Sequence, residues 1–418
     1  MRSGAVDAGG AWAAKIAGSF EPYSFVEFHR QLLPALVEQR GHLVAGDLVG
    51  APPLGFRCGE TTFTWIGSEQ GVVVREGDVD AVTLIELSEQ AFSDFLHELL
   101  TVRGADSTGR ARVVRGDLAG WQRWEPAIQS LCSGREIYGP GVRQTLVDST
   151  GAPLDLHRGF LLDDDLDEMR HFFDRAGYLH LKGVFSPQEV AQYGAAIESA
   201  RQRTTRDDPT TWWSVTADGE DVVTRMNYLG RHSSLLAALA HDPRLERCAQ
   251  IAGRELRVCD DRLDGPMVFI KNSNVVKGNG NLGWHIDPAL GGGPVICPFI
   301  QVGIQLDHAN PVNGQLLVLA GSHRYTKHAL GWGDEKDLPA VALVTDPGDI
   351  TIHDAYALHT TPPPTGDAAG RRVLYYKFAE QKTFNWIPAG YHYNDGLFQT
   401  GAQYQAVTDA YTPEDAST

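Results

Sequence analysis

The sequence lacks three features that would place it in a specialised class of protein. No apolar run approaches the roughly 20 residues that a membrane-spanning helix needs. The 5 cysteines are scattered, odd in number and contain no Cys-x-x-Cys pair, which predicts reduced, buried thiols in a cytoplasmic protein. Positive charge is scarce, because 36 Lys and Arg stand against 53 Asp and Glu, for a net charge of −17. This deficit argues against nucleic acid or an anionic membrane as the main partner.

The length points to more than one domain. A chain of 418 residues exceeds one ordinary core, so two domains are expected. We predict an α+β domain over residues 19–140, a linker over 141–165 and a second domain over 166–400. The N-terminus has one early Arg but no continuous apolar core, which predicts a loose tail and not a signal peptide.

The first block alternates strand and helix patterns. "SFVEFHRQLLPALVEQR" has the apolar spacing of a helix, and "TTFTWIG", "GVVVREG", "DAVTLIEL" and "GRARVVRGD" read as short strands. Ser88 is the expected N-cap of "EQAFSDFLHELL". The segment "LAGWQRWEPAIQSLCSG" predicts one amphipathic helix that ends at its Gly.

Part of this block resembles the sterol-carrier-protein type of lipid-binding domain. The resemblance covers roughly residues 72–128, where "GDVDAVTLIELSEQAFSDFLHEL" and "TGRARVVRGDLAGWQRW" each lead from a strand into a helix. It implies a possible lipophilic ligand in the N-terminal domain. The alternative is an unrelated α+β domain that stiffens or dimerises the protein. Arg110, Arg112 and Arg115 alternate along one strand and leave a single apolar face, which favours a packing surface over an enclosed cavity.

The second block begins with helices and continues with many strands. An acidic run in "LLDDDLDEM" predicts a solvated helix start and not a metal site. Ser186 and Pro187 are typical of the start of another helix. Short strands are then expected at "RELRVCDDR", "PMVFIKNS", "FIQVGIQL", "QLLVLAG", "ITIHDA" and "RRVLYYKF". Many short strands between Gly and Pro turns predict a β-sandwich or barrel.

One His-x-Asp pair stands out within this block. In "LGWHIDPALGGG", His285 and Asp287 lie two residues apart, and on a strand their side chains leave the same face. They converge either on a metal ion or as a surface pair beside a turn. The pair alone decides little, because the His and acidic content would give about two such pairs by chance.

A second stretch supplies the partners that a metal site requires. In "PGDITIHDAYALHTTPPP", His359 is expected at a strand exit, and Arg371 begins a returning strand. Two His and one carboxylate hold non-haem Fe(II) on one face and leave the other open. A 2-oxo acid fills two open positions and dioxygen the third. Fe²⁺, Asp287, a dianionic 2-oxoglutarate and one guanidinium sum to zero charge, and the guanidinium fork suits a carboxylate.

These motifs together resemble the phytanoyl-CoA dioxygenase family of Fe(II)/2-oxoglutarate oxygenases. The resemblance runs over about residues 166–378 and includes "FFDRAGYLHLKGVFSPQEV", "WHID", "NGQLLVLAGSHR", "PGDITIHDAYALH" and "RRVLYYKF". It implies an α+β protein whose main domain is a double-stranded β-helix, or jelly roll, with flanking helices. It also implies His285, Asp287 and His359 as catalytic iron ligands. Matching "RRVLYYKF" to the family backward from Phe378 favours Arg371 over Arg372 as the implied 2-oxoglutarate clamp. The two face opposite sides of the strand, so only one of them points inward.

Several further residues have two interpretations. Lys271 either lines the cosubstrate pocket, as the resemblance implies, or is an exposed loop residue. His353 lacks a following Pro loop and is predicted to be a packed neighbour of the site, while His323 is predicted to be structural. Trp212–Trp213 forms a lid or simply packs, and Gly291–Gly293 approaches substrate or is a flexible loop.

The sequence therefore predicts a dioxygenase that uses Fe(II), 2-oxoglutarate and O2. The expected reaction is hydroxylation, or another oxidation, of an aliphatic C–H bond in a small organic substrate, lipophilic or a natural product. One alternative is a lipid- or small-molecule-binding protein with a non-catalytic oxygenase fold. Another is a cupin-type metalloenzyme that uses no 2-oxoglutarate and has no need of a carboxylate clamp.

Overall fold

The computed structural model describes most of the chain, and its described residues form two compact units. Residues 22–139 together with 324–326 form the first unit, and the remaining described residues form the second. The predicted loose tail and Gly291–Gly293 lie outside the described residues. The structure describes residues 22–98, 100–107, 110–139, 141–208, 210–259, 265–278, 282–287, 299–326, 329–331, 333–365 and 370–379.

The first unit combines one mixed sheet with five helical segments. Its strands are β1 (Leu54–Cys58), β2 (Thr61–Ser68), β3 (Gly71–Glu76), β4 (Thr83–Leu87) and β5 (Ala111–Arg115). Its helices are α1 (Phe25–Glu27, Phe28–Leu32 and Leu33–Leu48 in succession), α2 (Glu89–Leu96), α3 (Val102–Ser107), α4 (Leu118–Gln122) and α5 (Glu125–Ser133). The strand order is β3-β2-β1-β4-β5, and only the β1–β4 pair is parallel. The four predicted strands are confirmed, and β1 is an addition to them.

Helix ends in the first unit follow local sequence signals. The Ser88 hydroxyl accepts a hydrogen bond from the Ala91 N–H at 3.1 Å, as predicted for an N-cap. Gly134 adopts the left-handed conformation that ends α5. The prediction of one continuous helix before it is wrong, because the segment breaks into α4 and α5 at Arg123–Trp124. Pro126 has no N–H to extend the first helix, so a new one starts there.

Packed aromatic rings fill the core of the first unit. The largest buried side chains are Trp65, Trp121 and Trp124, with Phe rings from α1, β1, β2 and α2 around them. His29 is buried among these rings and stacks on Phe63 at 4.2 Å between centroids. Its Nδ1 bonds to the Phe25 carbonyl, and its Nε2 has no partner among the described residues.

His29 makes the first unit sensitive to acid. Burial lowers the pKa of His29 from 6.5 to about 4. The unfolded chain takes up this proton near pH 6.5, so stability is complete above that pH and falls as the pH drops to 4. We expect a loss of about 3 kcal/mol over this window. Hydrogen exchange of peptides from the first unit should measure it, and His29→Phe should flatten the dependence. Substitution of exposed His42, in the same helix, is the control and should leave the pH dependence of hydrogen exchange unchanged. If His29→Phe keeps the wild-type pH dependence, His29 is not the acid-sensitive group.

The second unit contains four helices and fifteen strands among its described residues. The helices are α6 (Leu166–Ala176), α7 (Pro187–Arg201), α8 (Ser234–Leu239) and α9 (Pro243–Ile251). The strands are β6 (Gly159–Phe160), β7 (Tyr178–Leu181), β8 (Thr211–Thr216), β9 (Asp221–Met226), β10 (Arg257–Val258), β11 (Met267–Lys271), β12 (Val275–Gly278), β13 (Leu282–His285), β14 (Phe299–Gln305), β15 (Leu316–Leu319), β16 (Ala329–Leu330), β17 (Ala340–Leu343), β18 (Ile350–Asp354), β19 (His359–Thr361) and β20 (Arg371–Ala379).

These strands form the two sheets of a jelly roll. The ten-stranded sheet has the order β12-β8-β9-β11-β20-β14-β18-β7-β6, with β10 also paired to β20. The five-stranded sheet has the order β16-β13-β19-β15-β17. The predicted mixed α/β architecture with extensive β-sheet is confirmed. The sequence did not predict the β8–β9 hairpin, which places Trp212 and Trp213 on a strand of the larger sheet.

The helices of the second unit start at side-chain caps. Asp165, the third Asp of the predicted acidic helix start, accepts a hydrogen bond from the Glu168 N–H and caps α6. Ser186 and Glu189 form a reciprocal capping box at the start of α7, with Pro187 as its first residue. Both predicted helix starts are confirmed.

Strand β20 divides its side chains between two environments. Leu374, Tyr376 and Phe378 belong to the main apolar core of the unit. Because neighbouring strand residues point to opposite sides, Arg371, Val373, Tyr375 and Lys377 share the other face, which we call the inner face. Residues directly opposite them on neighbouring strands share this face, among them Lys271 on β11 and Gln301 on β14.

Candidate metal and cosubstrate site

Three predicted metal ligands come together between β13 and β19. His285 ends β13 and pairs in register with His359, which begins β19. The prediction that His359 ends a strand is therefore corrected, because the chain breaks after β18 and starts a new strand in the smaller sheet. Asp287 lies just beyond β13, where its backbone N–H bonds to the Ala355 carbonyl at 3.0 Å.

The separation of these three side chains suits one metal ion. One ligand atom from each of His285, Asp287 and His359 lies within 4.8 Å of the other two. His359 Nε2 and Asp287 Oδ1 are 3.6 Å apart. Ligands about 2.1 Å from one ion lie about 3 Å from each other, so a small approach brings these atoms to coordination distance.

Backbone hydrogen bonds orient both imidazoles. Nδ1 of His285 donates to the Gly283 carbonyl at 2.7 Å, and Nδ1 of His359 donates to the Ala357 carbonyl at 2.9 Å. Each bond spans two residues of the same segment. A proton held on Nδ1 leaves the Nε2 lone pair as the free donor, which is how metal-binding histidines are commonly oriented.

The ionisation of the three side chains also suits a cation. Burial lowers the pKa of His285 and holds the pKa of His359 well below its ordinary value. Burial alone would raise the pKa of Asp287, but His359 and His353 lower it below its ordinary value. Two neutral imidazoles and one carboxylate are the protonation states that metal ligands need.

His353 lies beside the cluster and brings a third imidazole to it. Its Nε2 is 3.5 Å from Asp287 Oδ2, and its ring centroid is 4.5 Å from that of His359. Neither of its ring nitrogens, nor Asp287 Oδ2, has a hydrogen-bond partner among the described residues. The sequence predicted a packed neighbour, and this contact agrees with it. Its position directly opposite Gln301 is a cross-strand relation that no local motif reveals.

Arg371 and Arg372 have different surroundings. Arg371 is 5% exposed and donates from Nε to the Gly314 carbonyl at 2.7 Å. Arg372 points to the other face and binds Asp307 through two N–H···O bonds of 2.8 Å. In the described part of the chain, no carboxylate pairs with Arg371. Burial lowers the pKa of Arg371, because it disfavours the charged form. A bound anion beside the guanidinium would stabilise its positive charge.

A glycine allows the close approach of chains around Arg371. Gly314 has φ +75°, and a Cβ there would lie 2.2 Å from the Pro362 carbonyl oxygen and 3.0 Å from Lys271 Cε. A side chain at this position would push Lys271 and the carbonyl that Arg371 binds out of place. Gly314, the first glycine of the predicted "NGQLLVLAG" motif, therefore allows the chain segments around Arg371 to pack closely.

Lys271 lies on a strand and not on an exposed loop. It is 7% exposed and stands directly opposite Arg371 across the β11–β20 pair. Its Nζ donates to the Thr361 carbonyl. Burial and the Arg371 charge hold the pKa of Lys271 well below its ordinary value. The exposed-loop alternative is thus wrong, and Lys271 lines the same face as Arg371.

Other predicted residues have structural surroundings. His323 Nε2 bonds to the Asp174 carbonyl at 3.0 Å. Trp212 is buried under the guanidinium of Arg225, 4.4 Å from ring centroid to Cζ, which is a packing arrangement. The four described cysteines, Cys58, Cys132, Cys248 and Cys259, are free thiols. In the part of the chain that the structure describes, no helix is long and apolar enough to cross a membrane.

Comparison with protein families matches the segment that carries this site. Residues 173–373 match the phytanoyl-CoA dioxygenase (PhyH) family, and this range includes all three clustered side chains and Arg371. The second unit therefore contains a segment that is similar to the PhyH family. The comparisons do not support the predicted sterol-carrier resemblance of the first block, which stays a prediction. No curated protein matches the chain.

Solved structures with partial similarity include several proteins described by their iron or 2-oxo acid. AviO1 from Streptomyces viridochromogenes aligns with 52% of this chain and 96% of its own, at 21% identity and a TM-score of 0.41. EctD from S. alaskensis with 2-oxoglutarate and 5-hydroxyectoine aligns with 60% of this chain and 87% of its own, at 20% identity and a TM-score of 0.44. The epimerase SnoN in complex with Fe3+, alpha ketoglutarate and nogalamycin RO aligns with 51% of this chain and 83% of its own, at 19% identity and a TM-score of 0.41.

Proposed function

We propose that the protein is an Fe(II)- and 2-oxoglutarate-dependent dioxygenase that hydroxylates an aliphatic C–H bond of a small organic substrate. The observation that carries this proposal is the His285–Asp287–His359 cluster, whose ligand atoms lie within 4.8 Å of one another and whose two histidines are buried. Two His and one carboxylate are the ligand set of non-haem Fe(II) oxygenases and leave coordination positions for cosubstrate and oxygen.

The state of the ligand atoms supports a metal ion at this position. Asp287 Oδ2 has no hydrogen-bond partner among the described residues, although it is buried. Both histidines hold their proton on Nδ1 and turn Nε2 away from the backbone. A bound divalent ion would compensate the carboxylate and accept the Nε2 lone pairs of both histidines.

Arg371 is the proposed partner of the distal 2-oxoglutarate carboxylate. The side chain is buried, and its Nε is fixed by the Gly314 carbonyl, so the guanidinium has a defined orientation. Tyr375 lies on the same face, and the charges of both Arg371 and Asp287 act on its pKa, which burial raises to about 12. The Tyr375 ring centroid is also 6.2 Å from that of His353, which lies beside the metal cluster. These observations support a clamp and a metal cluster that border one face. Lys271, opposite Arg371, is proposed to line the cosubstrate pocket.

The proposed chemistry assigns separate tasks to the protein and the bound groups. Iron and 2-oxoglutarate, when bound, supply oxidation in which R–H, 2-oxoglutarate and O2 give R–OH, succinate and CO2. His285, Asp287 and His359 hold the metal on one face, and Arg371 orients the cosubstrate. Burial of these side chains excludes water, which strengthens every charge interaction in the site.

The inner face also suits an organic substrate. Met267, Val373 and Tyr375 form a small apolar cluster with Phe269 packed against it. This cluster supports the proposal of a substrate with an apolar portion, such as a lipophilic molecule or a natural product. A lipophilic ligand of the first unit and a cytoplasmic location also remain proposals.

Dependence of succinate formation on iron tests the proposed function. Full-length protein should convert 2-oxoglutarate to succinate when Fe(II) and O2 are present. This conversion should be slower without the primary substrate than with it. Chelation of iron or exclusion of O2 should abolish the product. His308→Ala, a change at a half-exposed histidine paired with Asp346, should leave the rate unchanged. Failure of the protein to bind Fe(II) or 2-oxoglutarate would contradict the proposal.

A further inference from the structure

We infer that Gln301, His353 and Lys377 form a subsite that binds a carboxylate group of the primary substrate. The inference rests on the proposed function and adds the chemical class of substrate to it. These three side chains are called the acid subsite below. They lie on the inner face but are not among the residues proposed to bind iron or 2-oxoglutarate.

Strand register places the three side chains side by side. Gln301 on β14 is directly opposite His353 on β18 and directly opposite Lys377 on β20. Directly opposite residues of antiparallel strands have Cβ atoms about 5 Å apart and project from the same face. The three residues therefore form one row across three adjacent strands.

The row is buried and keeps unused hydrogen-bonding capacity. Gln301, His353 and Lys377 are 4%, 2% and 4% exposed. Gln301 Oε1 and both ring nitrogens of His353 have no hydrogen-bond partner among the described residues. A buried polar atom without a partner costs about 1–3 kcal/mol. Groups of this kind, adjacent to one another and near a proposed catalytic centre, indicate a position that a polar ligand fills.

The row lies next to the metal cluster. His353 Nε2 is 3.5 Å from Asp287 Oδ2. A substrate held by this row would therefore place its neighbouring carbon atoms close to the residues proposed to hold the metal. Binding at a polar group while an adjacent apolar portion reacts is how such a site would orient a C–H bond.

The row is distinct from the cosubstrate clamp. Lys377 and Arg371 are six residues apart on β20, which corresponds to about 20 Å along the strand. A five-carbon diacid that reaches from the metal to Arg371 does not extend to Lys377 as well. The acid subsite is therefore available to a second molecule while 2-oxoglutarate occupies the clamp.

The chemistry of the row favours a carboxylate over a neutral group. Lys377 brings a positive charge, with its Nζ 4.6 Å from the centroid of the Phe299 ring, and it has further contacts of its own. The Gln301 amide can turn its NH2 toward a ligand, and the His353 ring carries an N–H in either tautomer. Three donor groups, one of them the Lys377 cation, together complement an anion with two oxygens.

Matched probes test this inference in the full-length protein. We would titrate protein loaded with Fe(II) and 2-oxoglutarate, without O2, with octanoate, octanol and octyl phosphate, and measure each Kd by calorimetry. Octanoate should bind at least about ten-fold more tightly than octanol, the effect expected of charge-assisted hydrogen bonds. Octyl phosphate should bind no more tightly than octanoate.

Variants locate the effect. Lys377→Met and Gln301→Leu should each weaken octanoate binding about ten-fold and leave octanol binding unchanged. Lys377→Arg should retain most of the affinity for octanoate. Lys182→Met removes an exposed lysine of the same unit and should change nothing. Unchanged affinity for Fe(II) and 2-oxoglutarate in each variant reports an intact fold.

The outcomes separate this inference from the proposed function. If wild-type protein fails to bind Fe(II) and 2-oxoglutarate, the proposed function is wrong. If it binds both, but octanoate and octanol bind equally or neither binds, the acid subsite is wrong. Tighter binding of octyl phosphate would overturn the carboxylate assignment. An unchanged preference for octanoate in both Lys377→Met and Lys377→Arg would overturn the role of Lys377.

Discussion

Replacement of Asp287 with alanine is expected to weaken Fe(II) binding by on the order of 100-fold or more. Removal of a group that only supports a metal ligand already costs about 10–100-fold in affinity. Asp287 is itself a proposed ligand and carries the only negative charge of the cluster. Without it, two neutral imidazoles face the ion. Anaerobic titration of purified protein with Fe(II) measures the change, with one ion per chain expected for the wild type.

Two further variants make the iron test specific. His359→Ala should cause a similar loss, because its Nε2 is the ligand atom nearest to Asp287 at 3.6 Å. Asp346→Ala removes an exposed carboxylate from the same unit and should leave iron binding unchanged. Unchanged iron affinity in both Asp287→Ala and His285→Ala would rule out the ligand assignment.

Replacement of Arg371 with alanine should raise the apparent constant for 2-oxoglutarate by at least about 30-fold. Loss of one partner of a buried, hydrogen-bonded charge pair costs roughly 2–5 kcal/mol, which sets this lower bound. Iron affinity should change far less, because Arg371 donates to the Gly314 carbonyl and not to a ligand. Succinate formation at varied 2-oxoglutarate, together with anaerobic titration of 2-oxoglutarate, separates the two effects.

The neighbouring arginine is the matched control for this test. Arg372→Ala removes the same side chain one position along the strand, where it binds Asp307 and not the inner face. Its pair is about one-third exposed, so we expect a small loss of stability and an unchanged constant for 2-oxoglutarate. The reverse result, with the loss at Arg372 and none at Arg371, would show that the clamp assignment is off by one residue.

The proposed metal ligands could be chosen from the sequence because their signals are local. His285 and Asp287 lie two residues apart, and His359 precedes a Pro-rich loop and a returning strand. Alternation of side chains along the strand showed that only one of Arg371 and Arg372 points inward, and the match to the family motif favoured Arg371. The strands "FIQVGIQL" and "RRVLYYKF" were recognisable because buried strands read as nearly continuous apolar runs.

Other features depend on contacts between distant segments. The acid subsite exists because β14 pairs with β18 on one side and β20 on the other, and no spacing within one segment encodes that register. The β8–β9 hairpin was missed because its strands mix Thr, Ser and Asp with apolar residues. Lys271 was ambiguous because the local sequence around a lysine does not show whether it lies on an exposed loop or on a buried strand opposite Arg371.

The bond between Arg372 and Asp307 has a consequence for how faithfully the barrel folds. Asp307 accepts from the Arg372 backbone N–H at 2.9 Å as well as from its guanidinium. A slip of β20 by one residue would exchange the two arginines between faces. Arg371 would then be drawn away from the interior, and Arg372 would enter it and lose its carboxylate. Such a misaligned state carries the cost of an unpaired buried charge and is therefore less stable than the native one. The bond between Arg372 and Asp307 thus favours the native register of β20 during folding.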